Sequence, residues 1–226
     1  MASSTVENYV KEIFLLSEKS PLSDVPMGDV AAALGVSAGT ATTMAKSLER
    51  DGWVRYTPRK GLRLTEAGEG LALGMIRRHR LVESFLVKVL KLDWSEIHEE
   101  AERIEHAISD RVLDALDAFL GHPTADPHGD PIPGPQGEFH QRQLSSLRTC
   151  ATNTQLQVER ITDQHPEFLQ FVEARGLKPG SRLSVSHRDR VGDAVTVNIR
   201  DHAEPLTLGS VAAAKILVGQ TDCPAE

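Results

Sequence analysis

The sequence predicts a mainly α protein with a β domain at its C-terminal end. Three observations carry that reading. Apolar residues recur at helical spacing through most of the chain as far as Leu120. A run from Gly121 to Gly137 holds five prolines and four glycines and interrupts every periodic pattern. Beyond it, short alternating stretches rich in β-branched residues surround one helical segment.

The elements follow in order. Val6, Tyr9, Ile13 and Leu16 define an amphipathic first helix. "SDVP" opens a second, with Asp24 as its expected cap and Pro26 in the first turn. "MGDVAAAL" ends at Gly35, Ser37 caps "AGTATTMAKSLER", and Asp51-Gly52 stops it. "WVRY", the turn "TPRKG" and "LRL" form a small hairpin. Two short helices followed by a hairpin make a winged helix-turn-helix. A long helix then starts at Thr65. Another starts near Asp93, where Asp93 to Glu96 has the spacing of a capping box. Its stripe of Ile97, Ala101, Ile104 and Ile108 runs on through "VLDALDAFL" and serves either a monomer core or a dimer interface. Past the Pro/Gly run come strand-like "LQVERIT", helical "PEFLQFVEAR", then "RLSVSHR", "AVTVNIR" and "AKILV", the makings of an SH3-like small β-barrel.

Composition narrows the function. The chain has 226 residues, 40% apolar and 25% charged, which is ordinary for a soluble globular protein. No apolar run is long enough to span a membrane and no signal peptide is read at the start, so a cytoplasmic setting without a membrane partner is expected. Cys150 and Cys223 form neither a disulfide framework nor a CxxC pair. The net charge of −7 is segregated. From Ser37 to Arg63, six Lys/Arg face only Glu49 and Asp51. From His98 to Asp110 the balance reverses, with five acids against Arg103. Separate basic and acidic segments imply separate tasks.

The basic segment has the layout of a DNA reader. In a helix-turn-helix the second helix presents its N-terminal half to base edges. Here that half carries Ser37, Thr40, Thr42 and Thr43. Lys46 on the helix and Arg59 and Lys60 at the wing tip are placed to neutralise phosphates.

The acidic segment has the layout of a cation site. At about 100° per residue, His98, Glu102, Glu105 and His106 share an arc of roughly 100° beside the apolar stripe. Unpaired charge at the edge of a core is costly. Glu99 and Glu100 point further toward solvent. The preceding helix adds His79 and Glu83, four apart, and the constrained loop adds Asp126 and His128. Carboxylate and imidazole without thiolate suit Mn(II) or Fe(II), although Zn, Co or Ni would also bind. An enzyme is not expected: position 102 is Glu where HExxH needs His, and there is no ExxH pair, phosphate loop or nucleophile motif.

With these motifs in order, the sequence resembles the diphtheria-toxin-repressor and manganese-transport-regulator family of metal-dependent transcriptional repressors. "NYVKEIFLL", "VSAGTATTMAKSLERDGWV", "GLRLTEAG", "RRHRLVESFL", "IHEEAERIEHAISD" and "PHGDPIP" carry the resemblance, from Glu7 to Pro133. It implies a homodimer that binds palindromic operator DNA when Mn(II), or alternatively Fe(II), is present, and represses metal uptake. It implies a winged-helix domain over 1–65, a helical dimerisation and metal-binding domain over 66–137, a linker over 138–150, and an SH3-like (FeoA-like) domain over 151–226. It also implies two metal sites per subunit. One draws on Glu83, Asp126, His128 and Asp163 with His79 or His98 nearby; the other uses His79, Glu102, Glu105 and His106. Asn8 stands where the family usually has Asp or Met, so it is a weak ligand, and Lys11 stands where manganese-type members often carry Glu. Glu102, where iron-responsive relatives tend to have Cys, favours manganese. The rival expectation is a winged-helix regulator that senses a small organic ligand.

Overall fold

The computed structural model describes residues 2–19, 24–139 and 142–221. The chain forms two compact units. One comprises 1–79, 103–113 and 133–139; the other comprises 80–102, 114–132 and 140–226.

In the first unit, α1 (Ser4–Ser17) is capped by Ser3 and buries Tyr9, Val10, Ile13 and Phe14. α2 (Met27–Ala33) and α3 (Ala38–Arg50) follow. Asp24 does not cap α2. Pro26 holds the cap position without a side-chain bond, and Asp24 accepts from Arg63 instead. A proline in extended conformation already sets the chain direction there, which frees the carboxylate for the wing. β1 (Val54–Thr57) and β2 (Gly61–Leu64) pair antiparallel as that wing. Val25 adds a third short stretch by exchanging two backbone bonds with Leu62. Gly61 makes this possible: at φ 140° it passes so close that a Cβ would collide with the Val25 carbonyl. α4 (Glu66–Lys88) is capped as expected, Thr65 Oγ1 accepting from the Gly68 amide at 3.1 Å while donating to Gly52. Its Ala72, Leu73 and Ile76 close the core with Val30, Ala45, Leu48 and Leu62.

The acidic segment is two helices rather than one: α5 (Ile97–Glu105) and α6 (Asp110–Phe119). The stripe keeps its period, but Ser109 ends the first helix's continuation by capping the second, its Oγ accepting from the Val112 amide. At the other end, Asp93 Oδ1 accepts from the Ser95 amide and hydroxyl, making a turn before α5.

The second unit is built on a six-stranded antiparallel sheet in the order β3-β8-β4-β5-β6-β7. The strands are β3 (Ser145–Ser146), β4 (Leu156–Ile161), β5 (Arg182–Asp189), β6 (Ala194–Ile199), β7 (Leu206–Gly209) and β8 (Ile216–Gln220). Bulges interrupt β4 between Val158 and Arg160 and β5 between Val185 and His187, which bend the sheet. Inward residues such as Val158, Val185, Val197 and Val218 pack with Leu169 and Val172 of α7 (Pro166–Glu173) and with Ala213 of α8 (Ser210–Ala214). This is the SH3-like β domain the alternation predicts. β3, β7 and α8 are additions, too short to leave a pattern. Cys150 is buried and free, and Cys223 lies outside the described residues. Among the described residues, no helix is long and apolar enough to cross a membrane.

Candidate metal centres and nucleic-acid interface

The Pro/Gly run is an ordered loop. Ala125 and Pro131 form a bridge, and Asp126 N donates to Asp130 O at 3.0 Å. The loop is fastened to β4 by three means. Ile161 N donates to His128 O at 2.9 Å, and Arg160 pairs with Asp130 at 2.5 Å. Gly129, at φ 89°, lies against the Glu159 carbonyl where no Cβ fits.

This fastening fixes a group of ligand atoms in the second unit. Glu83 and His128 are each 1% exposed, and Asp126 is buried beside them. One oxygen of Glu83 lies 3.8 Å from His128 Nδ1, the other 3.6 Å from His98 Nδ1. His98 is half exposed, and its Nε2 lies 3.8 Å from Glu102. His128 Nε2 is 2.8 Å from the Trp94 carbonyl. A carbonyl only accepts, so Nε2 carries a proton, and in the neutral form of the ring the lone pair is on Nδ1. That Nδ1 is buried and has no hydrogen-bond partner. An imidazole oriented by a bond at its far nitrogen is how proteins hold a metal ligand. Asp126 Oδ1 accepts from the amides of His128 and Asp130, while Oδ2 is buried without a hydrogen bond. Burial, and then the nearby Asp130 and Glu83, push the Asp126 carboxyl well above the usual carboxylate range. Glu83, Asp126 and His128 thus form a compact donor set that could hold a metal ion.

A second group sits in the first unit. Glu105, at the end of α5, is fully buried. Its Oε2 is 2.6 Å from His79 Nδ1 and its Oε1 accepts from Lys11 Nζ at 2.7 Å. Burial pushes the Glu105 carboxyl up, but His79 and then Lys11 outweigh it and hold it below the ordinary value. His106 Nδ1 is 2.7 Å from Glu7, and its Nε2, 3.5 Å from Glu105, is buried without a hydrogen-bond partner. Asn8 Oδ1 is orphaned in the same way. Glu102 lies one turn before Glu105 on α5 and is partly exposed.

The sequence-predicted residues are therefore gathered unequally. Glu83, Asp126 and His128 converge, with His98 beside them; His79, Glu105 and His106 converge elsewhere. Asp163 joins neither group: its carboxylate is bonded to Lys215 at 2.5 Å and to the His165 amide. Sequence reasoning missed Asp130, which Arg160 and Gln164 hold so that the loop keeps its shape. It also missed Arg80, 3.7 Å from both Asp126 and Asp130. The spacing of Asp126 and Asp130 about Gly129 was the available signal.

The basic segment presents α3 on its outer side. Ala41, Ala45 and Leu48 are buried, while Ser37, Thr40, Thr43 and Lys46 are exposed and Thr42 partly so. Ser37 caps the helix by accepting from Thr40 N at 3.1 Å. Thr42 and Thr43 donate their hydroxyl protons to the carbonyls of Ala38 and Gly39. They are left to offer lone pairs and methyl groups outward. Arg59 and Lys60 are exposed at the wing tip, Arg59 at φ 67°.

Known proteins match this arrangement. Residues 1–62 match the iron dependent repressor N-terminal DNA binding domain, and residues 65–134 its metal binding and dimerisation domain. Residues 145–219 match the FeoA domain. The iron-dependent repressor IdeR of Mycobacterium tuberculosis is 40% identical over 218 residues, 90% of this chain and 92% of that protein. A solved manganese-dependent transcriptional repressor in complex with manganese is 37% identical, with TM-score 0.86, covering 96% of this chain and all of the other. The manganese regulator SloR is 31% identical, with TM-score 0.75, over 96% of this chain and 98% of its own. With a winged helix, buried clusters of carboxylate and imidazole and these relatives, the chain belongs to the family of iron-dependent repressors, whose members are metal-dependent transcriptional regulators.

Proposed function

We propose that this protein is a manganese-responsive repressor, with Fe(II) as the alternative effector, that binds palindromic operator DNA as a cytoplasmic homodimer and controls metal uptake genes. The observation that carries the choice of metal is the donor set: carboxylate and imidazole, with Cys150 buried in the β core and no thiolate among the described residues at either centre. Hard oxygen donors with imidazole favour Mn(II) and Fe(II) over softer ions. The first centre uses Glu83, Asp126 and His128 with His98; Asp163 joins only by exchanging Lys215 for the ion. The second uses His79, Glu105 and His106, with Glu102 and the weak donor Asn8 as its remaining candidates. Val112 and Phe119, seven apart on α6 and both exposed, supply apolar surface for a second copy. The domain limits proposed are 1–65, 66–137, 138–150 and 151–226. Catalysis is not part of the proposal.

A bound cation supplies positive charge that neutralises and cross-links carboxylates. The chain does the rest. Glu83 on α4 and Asp126 in the loop bring two acid groups together in a dry site, beside the buried His128 ring, which is costly. Holding them in one geometry fixes α4 and the loop, and so the recognition helices of a dimer. The effect on DNA affinity equals the difference in cation affinity between the two states.

The test is an operator titration at fixed salt, with and without Mn(II). Wild type gains affinity with Mn(II); Glu83→Ala and His106→Ala lose that gain while keeping their far-UV circular dichroism. Unaltered Mn-dependent binding in both variants would refute the assignment of centres. A regulator of a small organic ligand would show no response to the metal at all.

A further inference from the structure

The second centre already contains a positive charge. Lys11 is 4% exposed, and its ammonium donates to Glu105 Oε1 at 2.7 Å. Taking an ammonium out of water is expensive, and the cost is recovered only when geometry and partners are good. Glu105 is a good partner, fully buried and accepting from His79 on its other oxygen.

The pairing leaves other needs unmet. Beside Glu105 Oε1, at 3.5 Å, stands His106 Nε2. His106 Nδ1 faces the Glu7 carboxylate, which only accepts, so in the neutral ring Nε2 keeps the lone pair. It is buried and without a hydrogen bond, as is Asn8 Oδ1. Asn8 is three residues before Lys11, on the same face of α1. An ammonium cancels the charge of Glu105 but leaves these two acceptors unserved. A divalent ion beside Glu105 Oε1 and His106 Nε2, which lie 3.5 Å apart, would serve both.

We infer that Lys11 is a tethered competitor for the cation of this centre. Its ammonium holds Glu105 Oε1 in the metal-free protein, and a divalent ion gains that oxygen only by displacing it. Lys11 therefore sets the metal concentration at which the centre fills. The inference rests on reading the second centre as a metal site.

The experiment titrates the full-length, metal-free protein with Mn(II), following the EPR signal of the free hexaaqua ion, with no DNA present. Lys11→Leu keeps apolar bulk and offers no ligand atom. Lys11→Gln removes the charge but keeps an N–H for Glu105, and serves if the leucine variant does not fold. Lys11→Arg keeps the charge. Wild type is expected to bind two ions per chain, one more weakly. Both neutral variants should strengthen the weaker phase by about tenfold or more, as removal of a nearby like charge from a partly dry site dictates. Lys11→Arg should not strengthen it, and Glu105→Gln should abolish it. Unchanged or weakened binding in the neutral variants makes Lys11 a structural counter-ion and overturns the inference. Binding of a single ion by wild type and neutral variants alike also overturns it, while the metal reading stands. No Mn(II) bound by any of the proteins refutes that reading, and the inference with it.

Discussion

Asp126 and Glu105 are both buried acids, yet their surroundings push them in opposite directions. Asp126 is raised by burial and by Asp130 and Glu83, so the folded chain holds its proton more tightly than the unfolded one. Its contribution to stability is fully present below the ordinary carboxylate value of about 4 and is lost as pH rises through the raised value. Glu105 is lowered, so its contribution is present above the ordinary value and lost as pH falls through the lowered one. Asp126→Asn keeps an acceptor for the amides of His128 and Asp130. It should melt higher than wild type at neutral pH in the presence of chelator, with the gap closing toward pH 4. Added Mn(II) should reverse the order, because the variant has lost a proposed ligand. Thermal melts at several pH values check both. At this scale helical spacing picked out the candidate ligands, since His98, Glu102, Glu105 and His106 share one arc. Their partners were not. Nothing local in "TDQH" marks Asp163 as bound to Lys215, fifty-two residues away in sequence.

Elements were legible where one strong signal decided them. Thr65 caps α4 by the bond its position implies, and Thr65→Ala should cost about 1 kcal/mol in chemical denaturation, the usual loss for a cap. The signals failed where two competed. The stripe from Ile97 through Phe119 has one period, but Ser109 begins a new helix inside it. Asp24 precedes a helix but is drawn to Arg63. Gly129 acts between elements, letting the loop meet β4. Gly129→Ala should strain a left-handed backbone and force the loop off the Glu159 carbonyl, lowering stability by at least about 1 kcal/mol. Because that contact helps to place His128, it should also weaken Mn(II) binding in the EPR titration.

For the whole molecule, segregated charge was the clearest sequence signal. A chain of net charge −7 carries a segment that is locally basic, the surface proposed to meet DNA. Affinity for the operator should fall steeply with salt. Lys60→Ala should flatten the slope of log K against log salt by about 0.9, one phosphate contact, without changing which operator is preferred. The β domain was legible as alternation, but its six-strand order was not, because β3 and β7 are too short to show a period and bulges displace the register of β4 and β5.

Trp94 stacks on the His128 ring, with centroids 5.4 Å apart, and bonds Glu173 through its indole nitrogen. The chain holds one other tryptophan, Trp53, beside the wing. In a Trp53→Phe background, all indole emission would come from a ring lying against a candidate ligand. Paramagnetic Mn(II) at that ligand should quench this light, and a diamagnetic ion of like charge should do so far less. The protein would then carry its own optical gauge of occupancy at one centre, readable in a cuvette with no label attached.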